Sequence, residues 1–130
     1  MIGDTSAILA ILMKEQEQRS FIELLAATWP SDISAGTWIE LAAVVTRGGS
    51  PELALALRKL MAVLGIGILP VSAEQARLGF EAYRNFGRGT GHAAALTFGD
   101  CFAYALAKES GRPLLFKGED FAATDVVSAA

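Results

Sequence analysis

Short apolar stretches alternate with longer amphipathic segments along this chain, and no other feature constrains its fold as strongly. The stretches MIG, IGILPV and PLLF are apolar almost throughout and too short to form helices. Strands that are apolar on both faces are typical of a parallel sheet with helices on either side. With a further short strand near Ile33 and a candidate edge strand near Val126, the alternation predicts an α/β fold with a mostly parallel central sheet.

Six amphipathic segments between these strands are predicted to be helices. In chain order they are SAILAILMKE, EQRSFIELLAAT, TWIELAAVVTR, SPELALALRKLMAVLG, AEQARLGFEAYRNFG and DCFAYALAKESG. Ser50 and Pro51 suit the start of the fourth helix, and Gly65 suits its end. Ser72 and Gln75 have the spacing of a capping box before the fifth helix.

Composition limits the setting in which such a fold would work. With 52% hydrophobic residues among 130, the chain can bury one core, so we expect a single domain spanning residues 1–130. No apolar run reaches the roughly 20 residues that a membrane helix needs. The single cysteine, Cys101, cannot form an internal disulfide, so we expect a soluble cytoplasmic protein. The net charge of −3 lacks the basic excess typical of proteins that hold nucleic acid by charge alone.

Four carboxylates lie near the ends of elements that would meet at one edge of the sheet. They are Asp4 after MIG, Glu40 after TWI, Asp100 after a glycine-rich loop, and Asp120 shortly after PLLF. In open parallel sheets the functional crevice lies beyond the carboxyl ends of the strands. Two carboxylates about 4 Å apart repel by roughly 4 kcal/mol at an effective dielectric constant near 20, so a cluster requires a cation. Oxygen ligands without a matching His or Cys set favour Mg²⁺ or Mn²⁺.

Each acid also has a purely structural interpretation. Asp4, or one of the two hydroxyl residues after it, suits the N-cap of the first helix. Thr37 and Glu40 have capping-box spacing. Asp100 is a natural first residue of a helix, and Asp120 lies in a sequence typical of turns. For each acid, these alternatives stay open at this point.

The segments that carry these acids resemble PIN-domain ribonucleases of the VapC toxin type. They are MIGDTSAILAIL, SAGTWIELAAVV and the C-terminal block TFGDCFAYALAKESGRPLLFKGEDFAATDV. The resemblance covers essentially the whole chain and implies a three-layer α/β/α sandwich. It also implies a Mg²⁺- or Mn²⁺-dependent endoribonuclease that serves as the toxin of a toxin-antitoxin pair, with a VapB-like antitoxin as inhibitor. Gly3 departs from the family, which usually has an apolar β-branched residue there.

The resemblance implies a role for each acid in cleaving RNA phosphodiester bonds by a metal-activated water. By motif, the family's acidic positions fall on Asp4, Glu40, Asp100 and Asp120, with Asp4 and Asp100 as the metal ligands. Thr5 and Ser6 match small hydroxyl positions around the first acid. Asp125 competes with Asp120 for the fourth position, and Asp120 is favoured because it lies closer to the end of PLLF.

An acidic rim repels RNA, so substrate binding needs cations nearby. The candidates flank the glycine-rich loop or the last acid, and they are Arg84, Arg88, His92 and Lys117. For any single one of them, a solvated surface position is the more common interpretation. The apolar surface of SPELALALRKLMAVL and TWIELAAVV, together with the resemblance, predicts a homodimer.

Other functions fit the sequence less well. A phosphotransfer receiver domain would gather acids and a lysine such as Lys117, but GIGILPVS offers no aspartate to accept a phosphoryl group. A haloacid-dehalogenase-like phosphatase needs an acid where this chain has Ser6. A catalytically silent PIN-fold interaction domain is the remaining alternative, and the retention of four acids argues against it.

Overall fold

Four short strands form one parallel sheet in the computed structural model, which describes residues 1–130. The strands are β1 (Ile2–Gly3), β2 (Asp32–Ser34), β3 (Gly67–Leu69) and β4 (Leu114–Leu115). Their order is β3-β2-β1-β4, and every pairing is parallel, as predicted. The predicted edge strand near Val126 is reduced to one isolated parallel bridge between Leu114 and Ser128.

All six predicted helices are present. They are α1 (Thr5–Leu12), α2 (Gln18–Ala27), α3 (Ala35–Arg47), α4 (Pro51–Leu64), α5 (Ala73–Phe86) and α6 (Asp100–Ser110), and a 3₁₀ turn covers Phe121–Ala123. Pro51 is the first residue of α4, and Gly65 ends it in the left-handed conformation, with φ of 62°. No helix in the structure has both the length and the apolar character that crossing a membrane requires.

Two of the predicted capping interactions differ in detail. The Ser72 hydroxyl accepts a hydrogen bond from the Gln75 N–H at 3.0 Å, but the Gln75 side chain donates to Pro70 O at 3.4 Å. The capping box is therefore only half formed. Ser50 occupies the N-cap of α4, yet its hydroxyl donates to the Glu52 carboxylate at 2.9 Å instead of accepting from the backbone.

Helix α3 begins earlier than the sequence pattern predicted. Ser34 is its N-cap, and the Ser34 hydroxyl accepts a hydrogen bond from the Gly36 N–H at 3.1 Å. Thr37 is buried inside the first turn, and its hydroxyl has no hydrogen-bond partner. The capping-box interpretation of Thr37 and Glu40 is wrong because the helix starts at Ala35, which places Glu40 in the second turn.

The sheet separates two apolar cores. Neighbouring residues of a strand point to opposite faces, so Leu114 and Leu115 belong to different buried clusters. The cluster that contains Leu115 and Ile33 is formed with α1, α2, α3 and α4. The cluster that contains Leu114 and Ile2 is formed mainly with α6, together with one residue of α5. This is the three-layer α/β/α sandwich, and it places the ends of β1, β2 and β4 at one edge.

Candidate active site

Asp4 lies directly after β1, which is paired on both sides, and forms the N-cap of α1. Its Oδ2 atom accepts hydrogen bonds from the Ser6 N–H at 2.9 Å and the Ser6 hydroxyl at 2.6 Å. The side chain is only 2% exposed, and its Oδ1 atom has no hydrogen-bond partner. Burial raises the pKa of Asp4 to about 7, against the effect of the Ser6 hydrogen bonds, and the charges of Asp100 and Glu40 add to the increase. Asp4 is therefore a helix cap with one oxygen atom left free.

Ser6 connects Asp4 with the loop that follows β4. Its hydroxyl donates to Asp4 and accepts a hydrogen bond from the Lys117 N–H at 3.0 Å. The loop that begins with Lys117 also carries Asp120. Ser6 thus supports the Asp4 carboxylate, as predicted. The Thr5 hydroxyl instead donates its hydrogen bond to Glu40.

Glu40 reaches from the second turn of α3 to the starts of two other helices. Its Oε1 atom accepts the hydrogen bond from the Thr5 hydroxyl, next to Asp4. Its Oε2 atom lies against Gly99, where an added Cβ atom would overlap the carboxylate. Glu40 therefore contacts Thr5, which follows Asp4, and Gly99, which precedes Asp100.

Asp100 is the first residue of α6 and forms a reciprocal pair of hydrogen bonds with Thr97. The Thr97 N–H donates to Asp100 Oδ2 at 2.9 Å, and the Asp100 N–H donates to the Thr97 hydroxyl at 3.3 Å. Partial burial raises the pKa of Asp100, against the Thr97 hydrogen bonds, and the charge of Asp120 adds to the increase while that of Arg88 lowers the pKa. Thr97 was not among the residues predicted from the sequence, although its T-x-x-D spacing is a recognisable signal for such a reciprocal pair.

The two candidates for the fourth acid lie in different surroundings. Asp120 is exposed and close enough to Asp100 to raise its pKa. Asp125 accepts hydrogen bonds from the Tyr104 hydroxyl at 2.7 Å and from Lys108 Nζ at 3.1 Å. Burial alone would raise the pKa of Asp125, but these two partners lower it below the usual value. The acid grouped with Asp100 is Asp120, while Asp125 attaches the C-terminal segment to α6.

Lys117 does not face the acids with its side chain. Its ammonium group is paired with Glu15 and, at 3.1 Å, with Glu17. These two glutamates lie in the segment between α1 and α2. Lys117 therefore connects that segment with the loop after β4, which leaves it less suited to contact RNA than the sequence position suggested.

The other predicted RNA contacts lie near the glycine-rich loop. His92 is half-buried, and its Nδ1 atom accepts a hydrogen bond from the Ala94 N–H at 3.0 Å. Arg84 and Arg88 are exposed. Neither arginine takes part in an ion pair, and Arg88 is close enough to Asp100 to lower its pKa. The two arginines are the predicted cations that stay available for phosphate groups.

The donor atoms at this site fit a hard divalent cation. A buried carboxylate oxygen without a partner is costly, and Asp4 Oδ1 is such an atom. No group of three or more His, Cys, Asp or Glu side chains is arranged so that it could hold a metal ion. Mg²⁺ is usually bound through one or two carboxylates and keeps several waters, so a site with two carboxylates is compatible with this cation.

Residues 1–127 match the PIN domain family. The chain belongs to the PIN domain family. Within it, Ribonuclease VapC42 from Mycobacterium tuberculosis is 44% identical over 126 residues, which cover 97% of this chain and 96% of that protein. Ribonuclease VapC28 from the same species is 43% identical over 129 residues, with coverage of 99% and 97%. The resemblance to PIN-domain ribonucleases of the VapC type is confirmed.

Solved structures confirm the PIN fold. The crystal structure of Mycobacterium tuberculosis VapC20, a toxin that cleaves the sarcin-ricin loop, has a TM-score of 0.73 at 19% identity and covers 97% of this chain and 95% of its own. A toxin-antitoxin complex from Klebsiella pneumoniae has a TM-score of 0.70 at 21% identity, with coverage of 99% and 97%. At these identities the agreement concerns the arrangement of the backbone alone.

Proposed function

We propose that this PIN domain is a Mg²⁺- or Mn²⁺-dependent endoribonuclease that acts as the toxin of a toxin-antitoxin pair. The observation that carries the proposal is the buried Oδ1 atom of Asp4, which has no partner and lies close to the charges of Asp100 and Glu40. The relatives named VapC ribonucleases, which match along nearly the whole chain, support the same activity. A silent interaction domain gives no reason to retain such a costly group of acids.

Asp4 and Asp100 would hold the cation, with Ser6 and Thr97 keeping the two carboxylates in place. A bound Mg²⁺ or Mn²⁺ would supply positive charge beside the scissile phosphate and lower the pKa of a nearby water molecule. Glu40, which accepts a hydrogen bond from Thr5 and lies against Gly99, would orient the attacking water and accept its proton.

RNA would approach over the exposed part of the rim. Asp120 is exposed and close to Asp100, and it would orient a water molecule or the cation from the open side. Arg88 is an unpaired cation close to Asp100, and Arg84 is a second exposed arginine four residues earlier in the chain. A guanidinium group pairs well with a phosphate. Phosphate contacts of this kind would offset the repulsion between RNA and the acids.

Cleavage of a mixed RNA pool tests the proposal, with Mg²⁺ or Mn²⁺ present and with EDTA as control. Asp4→Asn preserves the shape of the side chain and its ability to cap the helix but removes the charge, so we expect cleavage to fall by about 100-fold or more. Asp120→Asn should also be strongly impaired. Asp125→Asn is the matched control and should keep most of the activity. Full activity of Asp4→Asn would refute the nuclease assignment.

The second half of the proposal is a VapB-like antitoxin as inhibitor. The toxin-antitoxin complex from Klebsiella pneumoniae shares this fold, which supports a partner of that kind. An anionic pocket favours a cationic group, so we expect an Arg or Lys of the antitoxin to bind among the acids. In the same assay, the antitoxin should stop cleavage, and replacing that basic residue should restore it.

A further inference from the structure

Gly99 is buried at the N-cap of α6, and its backbone conformation does not require glycine. With φ of −62° and ψ of −38°, it lies in the right-handed helical region that every L-residue adopts. Glycine is entropically less favourable than alanine in such a conformation. The reason for glycine at this position must therefore be space.

The space next to Gly99 is filled by the carboxylate of Glu40. A Cβ atom at this position would overlap Oε2 of Glu40 and approach Oε1 to 2.8 Å. The Thr5 hydroxyl donates a hydrogen bond to Oε1. The position of the Glu40 carboxylate thus depends on the hydrogen bond from Thr5 and on the absence of a side chain at Gly99.

A second glycine makes the contact between α3 and α6 reciprocal. Gly36 in α3 lies against the ring of Phe102 in α6, which an added Cβ atom would overlap. Gly36 and Glu40 are one turn apart on α3, and Gly99 and Phe102 are one turn apart at the start of α6. Each helix therefore inserts one side chain over a glycine of the other, and this arrangement carries Glu40 to the start of α6.

We propose that Gly99 is a positioning residue of the nuclease, which acts by leaving room for the Glu40 carboxylate between Thr5 and Asp100. The inference rests on the proposed function, because Glu40 matters here for what it does to the attacking water. It assigns a role to a residue that has no functional group of its own.

Gly99→Ala tests the inference directly, and Gly79→Ala in α5 is its matched control. An added Cβ at Gly79 would have only ordinary contacts, the nearest at 3.6 Å from Cys101 O. Displacing a catalytic group by about 1 Å can cost about 100-fold in rate. We expect Gly99→Ala to lower kcat on RNA by 10- to 100-fold with KM nearly unchanged, and Gly79→Ala to leave both unchanged. An unchanged kcat for Gly99→Ala would overturn the inference.

Rescue separates positioning from a merely structural role. Glu40→Asp withdraws the carboxylate by one methylene group, so on its own it should lower kcat. Combined with Gly99→Ala it should raise kcat about tenfold above that of Gly99→Ala alone, because the shorter side chain makes room for the new Cβ atom. A double variant no better than Gly99→Ala would show that the alanine acts through the fold and not through Glu40.

Mn²⁺ binding measured by calorimetry without RNA separates this inference from the proposed function. Displacing a group beside the metal ligands typically weakens binding about 10-fold or more, so Gly99→Ala should bind Mn²⁺ about tenfold more weakly than the unaltered protein. Weaker Mn²⁺ binding by Gly99→Ala, with no RNA cleavage by the unaltered protein, would refute the proposed nuclease and would show only that Gly99 leaves room for Glu40 beside the cation site. If the unaltered protein cleaves RNA and Gly99→Ala has the same Mn²⁺ affinity and the same kcat, the positioning role is refuted and the proposed function stands.

Discussion

Asp4 both caps a helix and keeps one carboxylate oxygen free, although a helix cap and a functional group are usually alternative explanations of an acidic residue. One oxygen caps α1 through Ser6, and the other is buried without a partner. The cap explains why the side chain is held in one orientation, and the free oxygen explains why the orientation is useful. A ligand attached to the end of a buried strand is located more accurately than one on a mobile loop.

The metal-free protein should become less stable as the pH rises from about 4 to about 7. The pKa of Asp4 is raised from 3.8 to about 7 in the folded state, so the folded state binds more protons than the unfolded state in this window. Each pKa unit corresponds to about 1.4 kcal/mol, so the loss attributable to Asp4 is on the order of a few kcal/mol. Urea unfolding in EDTA at several pH values measures it, and Mg²⁺ should restore stability at pH 8.

Two variants test whether Asp4 causes this slope of the free energy of unfolding against pH. Asp4→Asn removes the titrating group and should flatten the dependence of the free energy of unfolding on pH. Asp125→Asn should leave the slope between pH 4 and pH 8 unchanged, because the pKa of Asp125 is lowered and its stabilisation is lost only at more acidic pH. A slope that persists in Asp4→Asn would assign the effect to another group.

At the scale of elements, the contact between α3 and α6 matters more for the site than any single strand. The strands contribute two or three residues each, and they place Asp4 and the loop after β4 at one edge. Glu40 lies within α3, not at the end of a strand, and it reaches the site only because α3 lies close to α6. Gly36 and Gly99 make this approach possible.

Gly36→Ala should destabilise the fold. The added Cβ atom would overlap the ring of Phe102, and overpacking of this kind costs about 1–3 kcal/mol. Gly48→Ala, at the C-cap of the same helix, is the control, since its contacts are no closer than 3.4 Å and its φ of −66° suits alanine. Urea unfolding measures both variants. Equal stability of Gly36→Ala and the unaltered protein would contradict the close packing of the two helices.

The whole molecule exposes two apolar surfaces that its own helices do not cover. A groove of about 380 Å³ between α5 and α6 is lined by aromatic residues, among which Phe80 is 71% and Phe98 is 75% exposed. A shallower groove of about 300 Å³ lies across α1, α2 and α4. On α4, Leu55 and Val63 are also well exposed. Exposed apolar patches of this extent are typical of interaction surfaces, which supports the predicted homodimer.

Light scattering at micromolar concentration should therefore give about twice the chain mass of 13.7 kDa. Buried aromatic residues dominate the energetics of interfaces, so we expect the groove between α5 and α6 to form the dimer contact. Phe80→Lys should then reduce the mass to that of one chain, and Leu55→Lys, at a similarly exposed position on α4, should not. A monomeric unaltered protein would contradict the homodimer, and the opposite result for the two variants would move the interface to α4.

The sequence by itself determined the elements and the positions of the candidate acids along them. Apolar runs predicted the parallel sheet, and Pro51 and Gly65 marked the ends of α4, because these signals act between residues a few positions apart. Asp4, Asp100 and Asp120 were found in the same way, since each follows or begins an element. Local signals of this kind do not depend on how the helices pack.

Only the tertiary structure decided which side chains meet. The hydrogen bond from Thr5 to Glu40 joins residues 35 positions apart, and the pairing of Lys117 with Glu15 joins residues 102 positions apart. The order of the strands and the approach of α3 to α6 bring these groups together, and no pattern within a few residues records either. Gly99 likewise carries no signal in the sequence. Its importance lies in the missing Cβ atom, because the Glu40 carboxylate from another helix occupies that space.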